Sequence, residues 1–218
     1  MKTWIYGKHA VEAASKDPRG LVERVITDEK EIERAVGEDA VHQGVAAVID
    51  TDKLLRDFDS FLAEVKDQRG VALALISEIQ DPQNVGAIMR SAAAFGIGGV
   101  LIPKDRQAQV TGAVIKVSAG AAFTVPLVAI GNINQTIEKL KDARFWVYGL
   151  TGEGEKALRD EDFSENSVFV IGNEAKGIRE KALEHCDVRL RIPITDAVES
   201  LNASVSAAVA FYEWRSKQ

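Results

Sequence analysis

The hydrophobic pattern of the chain changes character near residue 70. From Val71 onward, short and nearly continuous apolar runs recur at Val71–Ile76, Gly99–Ile102, Val125–Val128, Phe145–Leu150, Val168–Ile171 and Val188–Ile192. Short apolar runs rich in Val, Ile and Leu predict strands buried on both faces. Between them, apolar residues fall at helical spacing in Val85–Phe95, Gln109–Val117, Ile133–Leu140, Ile178–His185 and Ser200–Trp214. Strands alternating with helices predict an α/β fold, a mostly parallel sheet with helices on both faces. Ligands of such sheets bind at the carboxyl ends of the strands. The loops after Ile76, Leu150, Ile171 and Ile192 are therefore the ones to inspect.

The first seventy residues read as a separate small α/β unit. His9–Lys16 predicts a helix, Arg24–Thr27 a strand, Asp28–Val36 a helix capped by Asp28, and Val45–Ile49 another strand. In Lys53–Lys66 the residues Leu54, Leu55, Phe58, Phe61, Leu62 and Val65 fall on one helical face. Its polar face, and the Asp67-Gln68-Arg69-Gly70 that follows, suggest a linker. The expected division is a small domain at 1–50, a linker helix at 51–70 and a main domain at 71–218.

Composition narrows the class. With 218 residues, 46% hydrophobic and 28% charged, the chain can bury a core and lacks the signature of disorder. No apolar run approaches a membrane span, and Met1-Lys2-Thr3-Trp4 does not begin a signal peptide, so a cytoplasmic protein with no membrane contact is expected. A single cysteine, Cys186, excludes an internal disulfide and a four-cysteine metal site. His9, His42 and His185 show no metal-ligand spacing, so no metal is expected. Net charge is −6. Residues 1–69 hold 11 basic and 15 acidic side chains, a balance of −4, and the remainder −2. Any contact with nucleic acid must therefore be local.

Three segments carry candidate chemistry. The first is Asp81-Pro82-Gln83-Asn84, running into a helix whose only charge is Arg90. Asn84 is a candidate N-cap. A helix without the usual polar face suggests that Arg90 looks into a pocket rather than into solvent. The second is Gly172-Asn173-Glu174-Ala175-Lys176-Gly177, a loop with glycines at both ends that permits close backbone approach but is no Walker loop. The third runs from Ile192-Pro193 to Ser200-Leu201-Asn202, just before a last helix rich in Ala, Ser and Val. A competing motif, Gly152-Glu153-Gly154-Glu155-Lys156-Ala157, fits a loose dinucleotide fingerprint. The acidic span from Glu155 to Ser167 barely holds the covering helix that motif needs, which disfavours an NAD-linked oxidoreductase.

Taken together and in order, these segments resemble the SpoU (TrmH) branch of the SPOUT RNA methyltransferases. The resemblance extends through Ile102-Pro103-Lys104-Asp105-Arg106 and Lys116–Ala121, and runs from about Val71 to the C-terminus. The start, Ile5-Tyr6-Gly7-Lys8-His9-Ala10-Val11, and Val41-His42-Gln43-Gly44-Val45 resemble the family's N-terminal substrate-binding domain. Only Gly37–Ala40 stands where similar proteins carry a further helix and strand, so that domain reads as shortened.

The resemblance implies a SPOUT fold with a C-terminal trefoil knot, a homodimer, and S-adenosylmethionine as methyl donor. The implied acceptor is a ribose 2′-hydroxyl of a guanosine in 23S rRNA, with a tRNA 2′-O-methyltransferase of the same family as the alternative. It makes Arg90, Asn84, Glu174, Ser200 and Asn202 the catalytic set, and Leu150, Thr151, Gly172, Ile192 and Leu201 the cofactor contacts. Lys8, His9, Lys104, Arg106 and Lys116 are the candidate RNA contacts. Arginine normally stays protonated in proteins. Arg90 is thus either a base in an unusually dry pocket or, more simply, a clamp on phosphate and developing alkoxide charge.

Overall fold

The computed structural model describes residues 1–105, 107–173 and 175–218. The chain begins with an antiparallel three-stranded sheet in the order β1-β3-β2, formed by β1 (Lys2–Tyr6), β2 (Val22–Ile26) and β3 (Ala46–Asp50). Helices α1 (Lys8–Lys16) and α2 (Glu29–Val36) connect these strands. Asp28 caps α2 as expected, accepting from the Glu31 amide at 3.0 Å. The pattern missed β1, where only Ile5 is buried. It placed β2 two residues late, because an edge strand with Glu23, Arg24 and Val25 all exposed has no apolar run.

The expected linker helix is not one helix and not a linker. Asp50 accepts from the Asp52 amide and caps a 3-10 turn at Thr51–Leu54. Strand β4 (Leu55–Asp57) follows, and Asp57 then caps α3 (Phe58–Val65) by accepting from the Ser60 amide. Two capping aspartates seven residues apart, one for the turn and one for the helix, restart the chain direction, which a hydrophobic stripe alone does not reveal. Strand β4 joins the main sheet, and Phe58, Phe61 and Val65 enter its core.

That sheet has the order β4-β7-β6-β5-β10-β8-β11-β9, every pairing parallel. Its remaining strands are β5 (Ala72–Ile76), β6 (Gly99–Pro103), β7 (Leu127–Ile130), β8 (Trp146–Leu150), β9 (Lys156–Ala157), β10 (Ser167–Ile171) and β11 (Val188–Arg191). Helices α4 (Pro82–Phe95), α5 (Gly112–Val117), α6 (Ala121–Thr124), α7 (Ile133–Asp142), α8 (Glu180–His185) and α9 (Ala203–Ser216) complete the chain. Central strands β5, β6 and β10 are buried at every position, as their uninterrupted apolar runs require. Strand β7 begins two residues later than the pattern suggested, beyond Pro126. Between β8 and β10 the described residues form β9 and a 3-10 turn at Leu158–Asp160, with no α-helix. The Gly152 fingerprint therefore lacks the helix N-terminus on which a pyrophosphate would sit.

One buried cluster runs from Ile5, Leu21, Ile49 and Leu54 of the first part into Ala122, Val125 and Leu127 of the second. At this junction Gly112 packs so closely that a Cβ would lie 2.1 Å from the Trp4 carbonyl oxygen. The Gly112 amide donates to Thr3 Oγ1 at 3.2 Å. Lys116 Nζ lies 4.6 Å over the Tyr6 ring and 3.2 Å from its hydroxyl oxygen. No described helix is long and apolar enough to cross a membrane.

Candidate functional site

Parallel pairing brings the carboxyl ends of β8, β10 and β11 level with one another. The loops leaving these three strands enclose a cavity of about 300 Å³. That is the lower end of the range for small-molecule sites. Leu150 and Thr151 line it from β8, Ile171 and Gly172 from β10, Ile192 from beyond β11, and Ser200 and Leu201 from the entry to α9. Segments separated by many residues in sequence thus meet, and all five expected cofactor contacts lie on one wall or another of this cavity.

The chemistry of the lining is mixed. Leu150, Ile171, Leu190, Ile192 and Leu201 present apolar surface, while Thr151, Asn173, Ser200 and Ser206 add hydroxyl or amide groups. Glu199 is the one charged side chain among the described lining residues. Gly172 is required by close approach: a Cβ there would stand 2.3 Å from the Gly177 carbonyl carbon and 2.4 Å from the Ile178 nitrogen. The Asn173 and Gly177 backbones exchange hydrogen bonds at 3.0 and 2.9 Å, closing the loop on itself. Asn173 Oδ1 accepts from the amides of Ala175 and Lys176 at 2.9 and 3.1 Å, so the loop carries its own internal support.

The expected catalytic set is not gathered there in the single chain. Of its members, Ser200 lines the cavity. Asn202 caps α9, its Oδ1 accepting from the Ser204 amide at 2.8 Å and the Ser204 hydroxyl at 2.6 Å. Asn84 is buried inside α4 and is not its cap; Asp81 is, accepting from the Gln83 amide at 2.9 Å, with Pro82 at the first helical position. Glu174 and Arg106 lie outside the described residues. Arg90 is exposed and does not line the cavity, which corrects the expectation of a pocket-facing guanidinium. The missing polar face that suggested a pocket has another cause. Ala87 and Ser91 of α4 form an open groove with Ser204, Val205, Ala208, Val209 and Tyr212 of α9.

Lys8, His9, Lys104 and Lys116 are exposed and lie away from the cavity lining. Lys116 holds Tyr6 as described. Sequence reasoning assigned no role to Asn173, Glu199 or Ser206, and set Gly152 aside with the dinucleotide motif, yet all four line the cavity. A turn-forming Gly-Asn pair directly after a strand end was the signal for Asn173. Cys186 is partly buried, donates to the Ala182 carbonyl at 3.3 Å, and burial pushes its thiol up to about 12. Among the described residues no three His, Cys, Asp or Glu side chains are grouped to hold a metal ion.

The profile of the SpoU rRNA Methylase family matches residues 71–212, about two thirds of the chain and all of the cavity-forming strands. The chain belongs to this family. Among relatives, a Xylella fastidiosa protein named 23S rRNA (guanosine-2′-O-)-methyltransferase RlmB is 40% identical over 217 residues, covering 93% of this chain and 85% of its own. A Pseudomonas aeruginosa protein of the same name is 35% identical over 243 residues, covering 98% and 96%. The family fold extends to the whole chain: an AdoMet-bound rRNA methyltransferase from Sinorhizobium meliloti superposes with a TM-score of 0.85 at 19% identity, covering 99% of this chain and 87% of its own. The three-stranded sheet at the start of the chain is thus included in this likeness of fold.

Proposed function

We propose that the protein transfers a methyl group from S-adenosylmethionine to the ribose 2′-hydroxyl of a guanosine in 23S rRNA. The observation that carries this reading is the convergence of two sequence-distant family segments, the glycine-flanked loop and the Ile192–Leu201 stretch, with the Leu150–Gly152 strand end on one 300 Å³ cavity at the carboxyl edge of a parallel sheet. The names of the relatives give the acceptor. The residues present fit the donor. Leu150, Ile171, Ile192 and Leu201 offer apolar surface to a purine, Gly172 lines the wall with backbone and no side chain, and the carboxylate of Glu199 suits a cation. When bound, S-adenosylmethionine supplies a methyl group on a positively charged sulfur. The chain's part is to hold that group and the ribose in line, which is worth roughly 7–11 kcal/mol in favourable cases.

Arg90 enters through a second copy. The groove between α4 and α9 is built of small and apolar residues, with Val205 46% and Tyr212 59% exposed. Two chains pairing on this face would bury it and bring Arg90, one residue from Ser91, to the seam. There the guanidinium binds phosphate and stabilises charge developing on the ribose oxygen, the milder of the two roles open to an arginine. Lys8, His9 and Lys104 supply contacts to RNA phosphates. Two finer family features, a trefoil knot in the C-terminal part and residence in the cytoplasm, belong to the same reading.

Incubation of the purified protein with radiolabelled S-adenosylmethionine and either 23S rRNA or bulk tRNA tests it. Label in a single 2′-O-methylguanosine of 23S rRNA is expected; label in tRNA alone would move the substrate, and label in neither would end the reading. Val205→Glu is expected to convert a dimer to a monomer in sedimentation and to abolish transfer. A wild-type monomer that transfers methyl groups would refute the pairing.

A further inference from the structure

Glu78 is an outlier whose conformation asks for a reason. It leaves the end of β5 with φ at +60°, the left-handed region that a glycine would occupy without strain. Backbone strain at a non-glycine residue persists where its side chain or surroundings hold it. Here both do. The Glu78 carbonyl accepts from Asn173 Nδ2 at 2.9 Å. Its carboxylate takes a two-pronged bond from Arg179, with Nε to Oε2 and Nη2 to Oε1 each at 2.8 Å. The neighbouring Ser77 amide donates to the Ile171 carbonyl at 2.8 Å, so the residue before Glu78 is also tied to the end of β10.

Asn173 stands near the start of the glycine-flanked loop and Arg179 two residues past its end. Gly172, Asn173, Ala175 and Gly177 of that loop line the cavity, whereas Glu78 does not. A residue from the loop preceding α4 therefore grips both ends of the loop that walls the proposed donor site. The Glu78 side chain is 18% exposed, so the fork is shielded on one side. Two-pronged Arg–carboxylate pairs add geometric specificity beyond a simple charge contact.

We propose that Glu78 is a positioning residue for methyl-donor binding: through Asn173 and Arg179 it fixes the Gly172–Gly177 wall against the cavity. The inference rests on the reading of that cavity as the donor site. It ties donor affinity to the loop before α4, the helix that carries Asn84 and Arg90.

The test is calorimetric titration of S-adenosylmethionine into the full chain, comparing wild type with Glu78→Gln, Arg179→Gln, Arg179→Lys and the double Gln variant. Each single Gln change is expected to weaken binding about tenfold, the double change no further, and Arg179→Lys by less, because one two-pronged interaction is lost in each case. Amides of Ala175–Gly177 should exchange hydrogen faster in Glu78→Gln, with the melting temperature held. Wild-type affinity in both single Gln variants, or additive losses in the double, would overturn the proposal. A fall in melting temperature without faster loop exchange would do so as well. Failure of the wild type itself to bind S-adenosylmethionine would instead overturn the functional reading, and this inference with it.

Discussion

At the scale of single residues, the site depends on what Gly172 lacks. A methyl group there would overlap the Gly177 and Ile178 backbones, so the loop must move rather than a side chain. Gly172→Ala is expected to cost about 1–3 kcal/mol, the usual range for overpacking, and to abolish S-adenosylmethionine binding in calorimetry. Binding at wild-type strength would show that this wall is not part of the donor site. Cys186 offers a contrast. Burial raises its thiol to about 12, so at pH 8 almost none is thiolate, the reactive form. Alkylation of the native protein by iodoacetamide is expected to be slow at pH 8 and fast in urea; fast labelling of the native protein would contradict the burial. That these residues line one cavity was legible from sequence because glycine, a strand end and a family order coincide at Leu150, Gly172 and Ile192. Arg90 was not legible in the same way. A helix face of small residues reads alike whether it borders a cavity or a groove, and only packing of α4 beside α9 distinguishes them.

At the scale of elements, legibility followed burial. Strands β5, β6 and β10, covered on both faces, announce themselves as apolar runs. Strands β1, β2 and β9 do not, because edge or short strands are held by backbone pairing that leaves no pattern in the side chains. Caps decided the rest. Asp81 rather than Asn84 starts α4, and Asp50 and Asp57 break one expected helix into a turn, a strand and a helix. Asn202 belongs to the same class, and its cap can be separated from a catalytic duty. Asn202→Ala is expected to lose about 0.5–2 kcal/mol of stability, the worth of an N-cap, while Asn202→Asp retains it. Denaturant melts measure the cap and methyl transfer measures catalysis. Full activity in the aspartate variant would assign Asn202 to capping alone; a stable but inactive one would restore it to the catalytic set.

At the scale of the whole molecule, the small sheet and the main sheet share a core, so the segment expected as a linker helix at 51–70 does not separate them and the parts should unfold together. Arg19 and Asp17 help to join them. Arg19 donates to both oxygens of Asp17, at 2.8 and 2.5 Å, and reaches the carbonyls of Leu54 at 3.3 Å and Phe123 at 3.4 Å. The Asp17 side chain is only 3% exposed. The guanidinium beside it holds its carboxyl below the usual carboxylate range, against the opposing effect of desolvation. A folded-state value below the unfolded one means that the pair's stabilisation is complete above the unfolded value, about 3.9, and fades as pH falls through the lower folded value. Asp17→Asn removes that contribution at every pH. The variant should therefore be less stable than wild type by about 1–3 kcal/mol at pH 7, the cost of leaving a partly buried charge without its carboxylate. The gap should narrow once the pH drops below about 4, as wild-type Asp17 itself takes up a proton. Urea melts at pH 7 and pH 3 measure it, and a gap that stays constant between them would show that the carboxylate's charge is not what joins the two sheets.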